Sequence, residues 1–378
     1  MRRAVITGLL AGVLVVGLIF GPSFLGQAHV AQAQTSGGKT KKVLFIASEK
    51  EVQVAPDSPL HPGGVMYKAM VFNGSIPGPV VAIDQGDTLQ ITLKNEGKLV
   101  HSMDFHAGYG PKEANSGPVK PGESVTWTLH GTYGGVFFYH CSADALNGIW
   151  EHIASGMYGG IVVHPEIETP AKEFYVVYGE IYNTAGGDAF QKANGTGSFD
   201  LAKFVNNHND LELTNGMAFK YVPSVGSVAK IPLNKDAQVF KVKPNELTRW
   251  YIVNAGPNHF LSFHIIGGII DVRDGFVRNR LGAVDFKDET WTIPPGSASV
   301  IESTFPQEGL YVGVSHALSD VVKGGAFAIL AASNSTATDH PPGTWVPPKG
   351  SASPTAPANM TGGGASNMTG GGASNTTG

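Results

Sequence analysis

The chain has 378 residues, 42% apolar and only 15% charged, so it can bury substantial cores and is neither disordered throughout nor fibrous. A formal net charge of -4 and the lack of any Lys/Arg-rich run leave no footprint for nucleic acid. A single cysteine, Cys141, excludes an intrachain disulfide, so this thiol must be deeply buried or occupied by a metal.

In chain order, Arg2 and Arg3 precede an apolar stretch over residues 4–21 and the small-residue sequence Ala31-Gln32-Ala33. This is the layout of an export signal over residues 1–33, and it predicts a periplasmic, extracellular or cell-surface protein. The alternative for the same stretch is a retained membrane anchor. From residue 43 to residue 332, short alternating apolar runs such as 88–93 and 124–129 are punctuated by Gly and Pro. The pattern predicts an all-β chain of Greek-key sandwiches or barrels.

The two halves are similar to each other. His101-Ser102-Met103-Asp104-Phe105-His106 is echoed by His259-Phe260-Leu261-Ser262-Phe263-His264, and Pro121-Gly122 by Pro295-Gly296. This predicts two tandem domains, 34–168 and 169–332. From residue 333 the composition turns to Ser, Thr, Pro, Gly and Asn, and an octet starting at Asn359 repeats at Asn367. Residues 333–378 are expected to be a disordered tail carrying Asn-x-Thr sequons at Asn359, Asn367 and Asn375.

The chemistry concentrates at His140-Cys141, with His152 and Met157 downstream. Two imidazoles, a thiolate and a weak axial thioether form a blue-copper ligand set, because sulfur stabilises Cu(I) while imidazole serves both redox states. His101 is the candidate for the second imidazole. On an extended strand His140 and Cys141 point to opposite faces. If residues 101–106 are also extended, His101 joins Cys141 on one face, while Asp104 and His106 join His140 on the other. Two metal sites bridged by one peptide bond follow from parity, and the second still needs a third nitrogen, for which His264 and His316 are both available.

These motifs, together with the segment Asn73-Gly74-Ser75-Ile76-Pro77-Gly78-Pro79, resemble those of the copper-containing nitrite reductases, a family of tandem cupredoxin domains within the multicopper oxidase superfamily. The resemblance implies a type 1 copper held by His101, Cys141, His152 and Met157, and a type 2 copper held by His106, His140 and His316. It implies Asp104 and His264 as proton donors and Ile266 as the apolar residue shaping the nitrite pocket. It further implies a homotrimer in which His316 crosses a subunit interface, two coppers per chain, and an electron-donor protein, either a small blue copper protein or a cytochrome c. The expected reaction is one-electron reduction of nitrite to nitric oxide and water. The segment between Cys141 and His152 departs from the family pattern: it is longer, and Glu151 separates Trp150 from His152.

Two rival readings have different ligand requirements. A two-domain multicopper oxidase needs His-x-His and His-Cys-His pairs, but Ser142 follows Cys141, and His101 and His106 are not so spaced. A noncatalytic blue-copper electron carrier needs no second site, and leaves Asp104, His264 and His316 without a purpose. His61, His130, His164, His208 and His340 fit no metal spacing and read as ordinary core or surface residues. His259 reads as a relic, since the second half has no Cys or Met to complete a blue site.

Overall fold

The computed structural model describes residues 38–111, 116–143, 148–188, 190–223, 236–274 and 287–351. The expected export signal and the octet repeats lie outside them. Among the described residues, no helix is long and apolar enough to cross a membrane.

Four sheets make two sandwiches. In the first, one sheet has the order β2 (Val65–Phe72), β1 (Thr40–Ala55), β4 (Thr88–Asn95), β6 (Ser124–His130). Its partner has the order β3 (Val81–Asp84), β8 (Tyr158–His164), β7 (Gly135–His140), β5 (Asp104–Phe105). In the second sandwich, an inner sheet runs β10 (Leu211–Thr214), β9 (Lys172–Ile181), β12 (Thr248–Asn254), β16 (Ser297–Ser303), β14 (Asp271–Val272). An outer sheet runs β11 (Phe240–Val242), β18 (Ala326–Ala331), β17 (Gly309–Ser315), β13 (Leu261–Ile266), β15 (Thr290–Ile293).

The burial pattern of each strand reports its layer. β4 and β6 alternate more and less buried residues, as a sheet with one wet face requires. β8 and β12 are buried at every position because both of their faces are covered, and each has an apolar middle, Ile161-Val162-Val163 and Trp250-Tyr251-Ile252-Val253. Phe45, Leu89, Ile91, Leu93 and Trp127 meet Tyr139, Ile161 and Val163 in the first core. Trp250, Phe174 and Ile301 meet Phe240, Phe263 and Phe327 in the last. Between them Val136, Phe138 and Val162 pack on Tyr175, Val177, Tyr251 and Val300, so the inner sheets of the two sandwiches share a third core.

The chain past residue 332 departs from the compositional expectation of a coreless tail. Val346 is 1% exposed and joins the shared core, the Tyr175 N–H donates to the Thr344 carbonyl (2.9 Å), and the Gly350 N–H donates to the Asp84 carboxylate (3.0 Å). The physical reason lies in Val346, an apolar anchor set among Pro341, Pro342, Pro347 and Pro348, whose rings lower the entropy cost of ordering the segment.

Candidate metal centres

Cys141 follows directly on β7 and sits, fully buried, in the first core together with Met157. Its Sγ lies 3.3 Å from His152 Nδ1 and 4.0 Å from His101 Nδ1, and those two nitrogens are 3.3 Å apart. The backbone N–H groups of Ser102 (3.3 Å) and Ala143 (3.4 Å) also point at the sulfur. Met157 is tied to the same place by its carbonyl, which accepts the Cys141 N–H (3.0 Å), and by its own N–H, which donates to the His152 carbonyl (3.0 Å).

His152 is carried by a short helix, Ile149–Ala154, which the alternating pattern upstream gives no reason to expect. This helix ends the segment after Cys141, and its Trp150 stacks on Phe204 (5.6 Å between rings). Glu49 on β1 is a further member of the cluster that sequence reasoning missed. Its carboxylate accepts from His101 Nε2 (2.9 Å) and from the Lys98 (2.9 Å) and Leu99 (3.2 Å) N–H groups. No short motif marks it, because its partners lie far along the chain.

The protonation chemistry of this cluster favours a cation. Burial pushes the Cys141 thiol up to about 12, with the Ala143 and Ser102 N–H groups opposing weakly, so a bare thiolate is strongly disfavoured. Burial, and then His101, lowers His152 to about 4. Burial also lowers His101 against the pull of Glu49. Burial pushes the Glu49 carboxyl up, but the Lys98 N–H, His101 and the Leu99 N–H outweigh it and hold it below the usual carboxylate range. A neutral His101 therefore donates Nε2–H to Glu49 and turns its Nδ1 lone pair toward Cys141 and His152. A thiol and two lone-pair-bearing nitrogens converging in an apolar core satisfy each other poorly. The donor set fits a soft or borderline metal ion that would make the thiolate stable.

The opposite face of β7 carries a second cluster. Asp104 lies directly across the β5–β7 ladder from His140. His140 Nε2 is 3.3 Å from His106 Nε2 and 3.6 Å from Asp104 Oδ2. The His140 Nδ1–H donates to the Cys141 carbonyl (3.0 Å), which leaves Nε2 free to bind a metal. Burial lowers both imidazoles, helped at His106 by His140, with Asp104 opposing at each. The partition expected from parity is thus the one observed, although only Asp104–Phe105 is strand and His101 makes a single bridge to Val119.

The remaining predicted residues gather elsewhere. β13 alternates, with Leu261, Phe263 and Ile265 buried while His264 and Ile266 share the outer face, Ile266 being 52% exposed. The His316 N–H donates to the Ser262 carbonyl (2.7 Å), and its ring lies 5.4 Å from that of His264. His264 Nδ1 is held by the Glu289 carbonyl (2.6 Å). Among the described residues, the group that includes His106 and His140 contains Asp104 but not His316. The inner sheet and the outer sheet of the second sandwich both lie between β7 and this outer face, a separation on the order of 20 Å at about 10 Å per layer. A single chain holds two imidazoles of the expected three-histidine set on one surface and the third on another.

Of the histidines read as ordinary, His164 does pack with Glu168 and Glu173, but Arg249 fills that cluster, 3.2 Å from Glu168 and 2.7 Å from Glu173. It is a buried ion network.

The fold defines a class: tandem cupredoxin domains, as in the copper nitrite reductase structure from Nitrosomonas europaea. That structure is matched with a TM-score of 0.65 at 29% identity over 80% of this chain and 98% of its own. The family profile described as "Multicopper oxidase" matches residues 54–168. The copper-containing nitrite reductase of Rhizobium meliloti (strain 1021) is 31% identical over 309 residues, covering 80% of this chain and 78% of the relative. This chain belongs to the copper-containing nitrite reductase family. The Neisseria gonorrhoeae relative is 31% identical over 275 residues, 71% of this chain, and the chain spans 64% of that relative's length.

Proposed function

We propose that this protein reduces nitrite to nitric oxide and water, with His101, Cys141, His152 and Met157 holding one copper and His106, His140 and His316 holding another. When bound, copper supplies one-electron redox chemistry at the first set and Lewis acidity with an exchangeable position at the second. The observation that carries the reading is the His140-Cys141 pair. One strand aims a thiol into a dry core and the adjacent imidazole at a second, more open cluster, so the peptide bond between them is the shortest covalent link between the two ligand sets.

The chain's own residues supply the rest. Asp104, with 41% of its side chain exposed beside His140, can hand a proton to an anion bound there, and His264 would be the second donor of the two protons the reaction consumes. Ile266 would present an apolar wall that limits the size of the bound anion. Because His316 and His264 sit on a surface remote from His106, they would reach the site of another copy; a head-to-tail interface of this kind can close into a ring, and the family resemblance makes that ring a homotrimer. The electron would come from a small blue copper protein or a cytochrome c, and the protein would work outside the cytoplasm. The test is anaerobic turnover of nitrite with an artificial reductant. Wild type should form nitric oxide, and His316→Ala and Cys141→Ala should not; nitrite consumption without nitric oxide would refute the proposed reaction.

A further inference from the structure

The second domain has its own buried cluster at the place where the first domain has Cys141. The repeat that matches His101 with His259 also matches Asp104 with Ser262. His140 faces Asp104 across the ladder, and the His316 N–H meets the Ser262 carbonyl. His316 therefore takes the place of His140, Ala317 that of Cys141, and the helix Leu318–Val322 follows as the helix Ile149–Ala154 does in the first domain. The pocket next to His259 has lost its sulfur ligands, but it has not become apolar.

Glu212, His259 and Asp320 converge in it from β10, from the loop before β13 and from that helix, with one ligand atom of each within 4.8 Å of the others. Glu212 is 4% exposed and Asp320 2%. Glu180, buried and directly across the β9–β10 ladder from Glu212, is already committed: one oxygen accepts the Asn258 (2.9 Å) and His259 (2.7 Å) N–H groups, and the other accepts the Tyr182 hydroxyl. It fixes the loop that presents His259. Three buried carboxylates face one nearby ammonium, that of Lys323, which donates to Asn209 while the Asn209 amide donates to Glu212 (3.1 Å). Like charges placed directly opposite on a sheet are destabilising unless something compensates them.

An independent observation points to what compensates them. Tyr178 is fully buried, shares a β9 face with Glu180, and its hydroxyl has no hydrogen-bond partner. The ladder sets Tyr178 opposite Thr214 and Glu180 opposite Glu212 on the same face, and after burial itself Glu212 and Asp320 are the groups that raise the Tyr178 pKa. Thr214, across the ladder from Tyr178 and on the Glu212 face of β10, is equally buried and equally unpartnered. His259 Nδ1 lies 3.4 Å from Asp320 Oδ1 but outside hydrogen-bonding geometry. Orphan polar atoms are rare in protein interiors, and here they surround two carboxylates.

We propose that Glu212, His259 and Asp320 bind a divalent first-row cation of the Zn2+ or Mn2+ kind, a structural site separate from the two copper sites. Two carboxylates and one imidazole without sulfur suit these ions and not Cu(I). The ion ties β10, the His259 loop and the helix that directly follows His316 into one unit. A protonated His259 paired with Asp320, with burial pushing the Glu212 carboxyl up toward its neutral form, is the rival arrangement, and it leaves the Tyr178 and Thr214 hydroxyls without partners.

The test uses the full, copper-loaded protein dialysed against Zn2+, with zinc and copper measured separately, so that failure here and failure of the nitrite reading are distinguishable. Wild type should retain one zinc per chain beyond its copper and unfold at a higher temperature than the zinc-free protein. Asp320→Asn and His259→Gln should weaken zinc binding at least about tenfold while copper content and visible absorption stay unchanged. Retention equal in wild type and both variants overturns the proposal, as does zinc uptake abolished by His316→Ala but not by Asp320→Asn. Should either variant fail to fold, calorimetric titration of wild type decides: saturable binding at one per chain supports the site, and no saturable binding beyond the copper overturns it.

Discussion

His140 and Cys141 are neighbours in the chain and serve different clusters: Cys141 Sγ lies 3.3 Å from His152 Nδ1, while His140 Nε2 lies 3.3 Å from His106 Nε2. Their separation by strand parity allows each to be removed with little disturbance of the other. Cys141→Ala should abolish the visible absorption of a copper-thiolate centre and halve the copper content. Copper analysis and an absorption spectrum check both, and a variant that keeps its colour would remove Cys141 from the ligand set.

The split of the three histidines between two surfaces makes a prediction about mixtures. His106→Ala and His316→Ala should each be inactive alone. Refolded or coexpressed together, they should recover a fraction of wild-type activity, because some interfaces then join an intact His106 from one copy to an intact His316 from another. Activity that stays at the level of the separate variants would place all three ligands within one chain.

Asp104 is assigned to proton delivery, and removing a positioned acid typically costs about a hundredfold to ten-thousandfold in rate. Asp104→Asn should lower turnover by at least about a hundredfold with copper content unchanged. Steady-state rates and copper analysis check this; a loss of copper in parallel with the rate would make Asp104 a structural support instead.

The ion network behind β8 gives a stability test. His164 Nδ1 is 3.0 Å from Glu168, and its Nε2 donates to the Pro347 carbonyl (2.9 Å). Burial pushes this imidazole down, but Glu168, Glu173 and the Pro347 carbonyl outweigh it, so its pKa rises above the ordinary value. A raised folded-state pKa means the stabilisation is fully present below the unfolded value, about 6.5, and is lost as pH rises through the folded value. The gap in denaturant midpoint between wild type and His164→Gln should therefore shrink from about pH 6 to about pH 9. A gap independent of pH would mean that His164 is not charged in the folded protein.

The parts of this architecture legible in the sequence are those with a short period. Alternation in residues 88–93 and 124–129 marks β4 and β6, and the His101/His259 echo marks the duplication. Parity at residues 140 and 141 is enough to separate the two clusters. What stays hidden depends on long-range contact. Glu49 reaches His101 across 52 residues, the helix under His152 breaks a strand pattern, and Asp320 meets Glu212 only after the sheet has formed. His259 reads as a relic when sulfur partners are the criterion; its carboxylate partners share no motif with it.

Residues 333–351 also change how the protein should be handled. By engaging Asp84, His164 and Pro165 in the first half and Tyr175 in the second, this segment works as a clasp across both halves. A shortened version ending at Ala332 would strip Val346 from the shared interior, whereas one ending after Ser351 would keep every fastening described. The sensible place to cut, for crystallisation or for grafting the protein onto a surface, lies beyond the clasp.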